Sequence, residues 1–132
     1  MAGERTEWVE VGEAAQVWSR LSAELFDVAL LDAAMPSLDA TGLTRMLRNN
    51  PRSRQMPVMI IVPEGDLATA AACLAEGASM VVPQPVMPPL VAMQVQALWR
   101  QHAGHREIRT AASRDTARHR AIEAVLGNLA GE

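Results

Sequence analysis

Residues 26–42 read FDVALLDAAMPSLDATG. Within them the run Val28-Ala29-Leu30-Leu31 is apolar at every position and ends on Asp32. An apolar stretch of strand length with no polar face belongs in the middle of a parallel sheet, covered on both sides. In open α/β sheets the chemistry gathers just outside the carboxyl ends of such strands. Asp32 stands at that address, and the rest of the chain decides what stands beside it.

Before this stretch, Trp8-Val9-Glu10-Val11 alternates and predicts a short strand with one polar face. Gly12–Leu25 carries Ala15, Trp18, Leu21 and Leu25 at helical spacing. After it, Thr41–Arg48 predicts a helix closed by Asn49-Asn50-Pro51, with Asp39 as a turn or capping residue. Pro57–Val62 is a third strand, apolar throughout. Asp66–Ala75 is a helix with Asp66 as its cap and Gly77 as its stop. Ser79–Val82 is a fourth strand, and Pro88 or Pro89 opens a helix that runs through Trp99. Strictly alternating strands and helices imply a mainly parallel sheet with helices on both faces.

The chain has 132 residues, of which 49% are hydrophobic, enough for one domain with a real core. No apolar run approaches membrane-spanning length and no basic leader precedes an apolar stretch, so no membrane partner and a cytoplasmic location are expected. The net charge of −3 argues against nucleic acid as a partner. All 12 cationic residues are Arg, which excludes mechanisms that need a lysine amine. Cys73 lies in an Ala-rich helical stretch and reads as a buried core thiol. His102 and His105 are three apart but no further ligands cluster with them, so no metal and no cofactor are expected.

Residues 101–132 differ in character from residues 1–100. Leu98, Gln101, His105, Ile108, Ala112, Asp115, His119, Ile122, Leu126 and Leu129 are spaced alternately three and four apart. That spacing predicts a C-terminal helical tail, either folded back on the domain or paired as a coiled coil.

The stretch from Phe26 to Trp99 resembles the receiver domain of bacterial response regulators. The residues that carry the likeness are DVALLDAAMPSLDATGLTRMLR, then NNPRSRQMPVMIIV, then LAEGASMVVPQPV. The implied fold is flavodoxin-like (CheY-like), with strand order 2-1-3-4-5. The implied chemistry is phosphoryl transfer from a kinase histidine to an aspartate, a reaction carried mostly by positioning and charge neutralisation. The resemblance puts the acceptor at Asp32. It puts the phosphoryl-contacting hydroxyl at Val62, the neutralising lysine at Gln84 and the signalling aromatic at Val81, so each of these positions is degenerate. The acidic pair that holds Mg²⁺ in the family belongs to a first strand that the residues before Asp32 cannot contain. Another strand–helix unit needs about 20 residues, and Met1–Glu7 is too short.

Trp8–Val11 resembles the family's second strand. The missing strand would lie between it and Val28–Leu31, leaving a gap of about 10 Å that cannot stay open, because both rows of backbone groups would be unpaired. The expectation is that Trp8–Val11 moves in beside Val28–Leu31 and the sheet has four strands; the alternative is a strand from a partner chain.

Two functions follow from this reading. The first is a degenerate receiver, not an enzyme, that acts as an interaction and dimerisation module. From Leu67 to Trp99 the only charged residue is Glu76, and an uncharged surface marks an interface. Ala71, Leu74, Val91, Val95 and Leu98 are its expected contact residues, and a homodimer, a histidine kinase or another response regulator its expected partner. The second is a working phosphoacceptor, phosphorylated on Asp32 by a histidine kinase.

Overall fold

In a computed structural model the described residues are 5–35, 38–103 and 118–124. They form β1 (Arg5–Val11), α1 (Ala14–Ala23), β2 (Val28–Asp32), α2 (Ala40–Arg48), β3 (Val58–Val62), α3 (Leu67–Ala75), β4 (Met80–Pro83), α4 (Pro88–Ala103) and β5 (Arg118–Ala124). The five strands make one parallel sheet in the order β1-β5-β2-β3-β4.

The first eight elements are those the sequence predicts, within a few residues at each end. β2 and β3 are buried along their whole length. Their alternate residues feed two apolar layers, as the two-residue period of a strand requires. On one face Ala29, Leu31, Val58 and Ile60 pack with Val17 and Leu21 of α1, Leu43 and Leu47 of α2 and Cys73 of α3. On the other, Val28, Leu30, Met59 and Ile61 pack with Val91, Val95 and Leu98 of α4. Asp39 caps α2 by accepting from the Gly42 N–H at 3.1 Å, and Asp66 caps α3 by accepting from the Thr69 N–H at 3.0 Å. α3 stops at Gly77, whose φ of +112° only glycine adopts without strain.

The tail departs from the sequence reading. Residues 118–124 are not helical; they form a strand that lies between β1 and β2. β5 pairs with β1 from Arg5↔Arg118 to Val11↔Ala124 and with β2 from Val28↔Ala121 to Leu31↔Ala124. The predicted gap is therefore real but is closed by neither expected device. β1 stays at the outer edge, no partner strand is needed, and the sheet has five strands instead of four. Two rows of unpaired backbone groups outweigh the helical preference of seven residues, because each orphan N–H or C=O costs as much as a lost hydrogen bond. The remaining positions of the proposed heptad, 104–117 and 125–132, lie outside the described residues.

Candidate functional site

Four consecutive buried residues, Val28 to Leu31, hold β2 in the centre of the sheet and deliver Asp32 to its carboxyl edge. The chain then turns sharply. The Ala33 N–H donates to the Ile61 carbonyl at 2.7 Å, and the Met35 N–H to the Asp32 carbonyl at 3.0 Å. The Ala34 N–H donates to Asp32 Oδ1 at 2.9 Å. Asp32 is buried, so this local amide satisfies part of a carboxylate that water reaches poorly.

The neighbouring strand ends bring little to it. Val62 is buried and apolar, and its carbonyl accepts from the Gln84 N–H at 2.7 Å. Gln84 lies with Glu64, Pro85 and Val86 around a shallow depression at the carboxyl ends of β3 and β4. Val81 packs into the apolar layer beneath the first three helices. The segments leaving β2, β3 and β4 read AAMPSLD, PEGD and QPVM, with acids but no Arg. Among the described residues, the segments leaving β2, β3 and β4 thus bring carboxylates and no cation to offset added negative charge.

Receivers bind Mg²⁺ beside the acceptor, which requires several oxygen ligands. The described residues do not fit that ion. β5 occupies the sheet position of the strand that would supply the acidic pair, but its register sets Ala124 against Leu31, and the sequence continues Val125-Leu126. No group of three or more His, Cys, Asp or Glu residues among the described residues could hold a metal.

The acid that β5 does carry, Glu123, was not singled out by sequence reasoning. It is the register partner of Leu30 on one side and Glu10 on the other. It is fully buried, and neither carboxylate oxygen has a hydrogen-bond partner among the described residues. Burial, with a smaller contribution from the Glu10 charge, pushes its acid constant up to about 7. Its period-two neighbour Ala121 packs on the α4 layer, so Glu123 faces that layer too.

The expected interface residues separate into two groups. Ala71 and Leu74 are exposed on α3. Val91, Val95 and Leu98 are not available to a partner: each is nearly inaccessible, because they form the inward stripe of α4 against the sheet. The outward apolar residues of this region are instead Leu67 (79% exposed), Leu74, Met87, Leu90 and Met93 (60%). Glu76, the lone charge between residues 67 and 99, is neutralised by an ion pair from Arg45 Nη2 at 3.1 Å. β4 is the edge strand between α3 and α4, and it is short and ends in Pro83.

The comparisons with known proteins agree with this architecture. The response regulator receiver domain family matches residues 3–96. The phosphate regulon transcriptional regulatory protein PhoB of Rhizobium meliloti (strain 1021) is 29% identical over 90 residues, covering 68% of this chain. The chain spans only 39% of that relative's length. The signal receiver domain of a signal transduction histidine kinase from Syntrophus aciditrophicus superposes with a TM-score of 0.65 at 25% identity, covering 83% of this chain and 82% of that one. A CheY-like receiver domain protein from Methanospirillum hungatei JF-1 gives 0.63 at 18% identity, covering 70% of this chain and 73% of that one. With a parallel α/β sheet, an aspartate at the carboxyl edge of a buried strand and a family match over most of its length, the chain belongs to the response regulator receiver domain family of two-component signalling.

Proposed function

We propose that this receiver domain works as a cytoplasmic protein-interaction and dimerisation module, without efficient phosphorylation of Asp32. The observation that carries the reading is the surface made by α3, β4 and α4. It exposes Leu67, Leu74, Met87, Leu90 and Met93, and its single charge is already paired with Arg45. Large exposed apolar side chains on the two helices that flank an edge strand, with the one charge between residues 67 and 99 already paired, gain from being covered. The chemistry at Asp32 supports the same reading from the other side. A phosphoryl group adds nearly two negative charges, and Val62, Gln84 and Glu64 offer nothing to offset them.

The occupant of the surface is a second copy of this chain, and a histidine kinase or another response regulator is the further partner that the family suggests. Light scattering should find a dimer that Leu74→Glu or Met93→Glu converts to monomer. Acetyl phosphate with Mg²⁺ should leave the intact mass and the oligomeric state unchanged. A phosphorylated species that disappears in Asp32→Ala would overturn the reading. It would establish the alternative, a working phosphoacceptor served by a histidine kinase, which the position of Asp32 at the carboxyl edge of β2 favours.

A further inference from the structure

β5 differs from every other strand in how it is held. It comes last in the chain, yet it sits second in the sheet, with a parallel neighbour on each side. It is joined to α4 by residues 104–117, a length of chain that can reach about 45 Å when extended. It is also an imperfect occupant of its place. Glu123 is buried beside an apolar layer with neither oxygen partnered among the described residues, and Glu10, an acid as well, is its register partner on β1.

We propose that the slot between β1 and β2 is a strand-exchange site, filled in a dimer by Arg118–Ala124 of a second copy. The second copy is the occupant that the geometry favours, because the exchanged strand remakes every register pair from Arg5↔Arg118 to Val11↔Ala124 and from Val28↔Ala121 to Leu31↔Ala124. The backbone partners within the slot are the same in either form. Exchange of an identical element is a low-cost route to dimers for that reason. The opened form cannot persist alone, since release of β5 leaves β1 and β2 with facing, unpaired edges, and such edges recruit strands. An orphan buried carboxylate weakens the closed form relative to an apolar strand, so release of β5 is easier than for a strand fully matched to its layer. The exchange does not depend on the α3–β4–α4 surface.

Register pairs give a direct test. Glu7 and Arg120 are partners across the β1–β5 ladder. Two chains of different tag mass, one carrying Glu7→Cys and the other Arg120→Cys, both with Cys73→Ser, are unfolded together, refolded at high concentration and treated with a short bismaleimide. The expected product joins the two chains through residues 7 and 120, identified by peptide mass spectrometry. It should form equally when Leu74→Glu is present in both chains, which separates it from a dimer made by the apolar surface. If the mixture yields no 7–120 product while a single chain carrying both cysteines cross-links to itself, the strand does not exchange and the proposal falls. If the cysteine chains fail to refold, a chain carrying Leu74→Glu and Met93→Glu with no added cysteine decides the matter. Refolding it at high concentration should trap a dimer that persists on dilution, and a chain that refolds only as monomer overturns the proposal.

Discussion

Glu10 and Glu123 face each other across the β1–β5 ladder, the first exposed and the second fully buried without a hydrogen bond among the described residues. The other groups facing Glu123 among the described residues are apolar: Leu30 on β2 and the Val91, Val95 and Leu98 stripe of α4. Nothing there stabilises the ionised form, and Glu10 disfavours it further.

Stability should therefore fall as pH rises through neutrality. The folded acid constant, about 7, lies above the ordinary value of 4.5. The native chain thus holds its proton where the unfolded chain has lost it. This contribution is intact below the unfolded value and disappears as pH passes the folded one, a difference of about 3 kcal/mol. Urea midpoints compared at mildly acid and mildly alkaline pH should show the drop. Glu123→Gln should remove most of it and leave the protein more stable on the alkaline side.

At Asp32 the two simplest substitutions should differ. Asp32→Asn keeps an acceptor for the Ala34 N–H and should leave stability nearly unchanged. Asp32→Ala removes it and should cost about 1 kcal/mol. Denaturant titration of both variants checks this.

Inner and outer positions of α4 should respond in opposite ways to a charge. Met93→Glu lies on the exposed side and should dissociate the dimer while leaving the monomer folded. Val95→Glu places a charge in the layer against β2 and β3, where Val95 is 1% exposed, and should unfold the domain at a cost of several kcal/mol. Circular dichroism beside light scattering separates the two outcomes.

Arg48 should matter more than a surface arginine. Half-buried at the end of α2, it donates from Nε to the Gly77 carbonyl at 2.9 Å and from Nη1 to the Ser53 carbonyl at 3.2 Å. Burial lowers its acid constant from the ordinary guanidinium value. Arg48→Ala leaves two carbonyls with a lost donor and should destabilise by about 2–4 kcal/mol. Gly77→Ala should also destabilise, since its Cβ would meet Arg48 Cγ at 2.8 Å in a backbone conformation that disfavours side chains. Thermal unfolding of each variant gives the measurement.

The parts of this fold that announce themselves in the sequence are those whose local chemistry matches their place. Val28–Leu31 and Val58–Val62 are apolar because they are buried on both faces, and Asp39, Asp66 and Gly77 end their helices by short-range bonds or backbone freedom. β5 is illegible for the opposite reason. Its residues have no strand periodicity of their own, and it is a strand because the space between β1 and β2 demands one, a tertiary effect that overrides propensity. The inward stripe of α4 misleads in another way. Val91, Val95 and Leu98 recur at helical spacing, which marks a core face, but Leu90 and Met93 make the outer side apolar too and hide the contrast. At the site, the position of Asp32 could be read from its strand, whereas Glu123 acquires its meaning from neighbours distant in sequence.

The order of the strands also sets a schedule. Synthesis delivers β1 first and β5 last, yet these two lie side by side, with Arg5 against Arg118. On the ribosome the middle of the sheet therefore waits for residues 118–124. Until residue 124 has emerged, β1 and β2 both carry open edges, the long-range closure that slows folding and exposes a nascent chain to aggregation. A sheet built in this order is completed only after translation has passed β5.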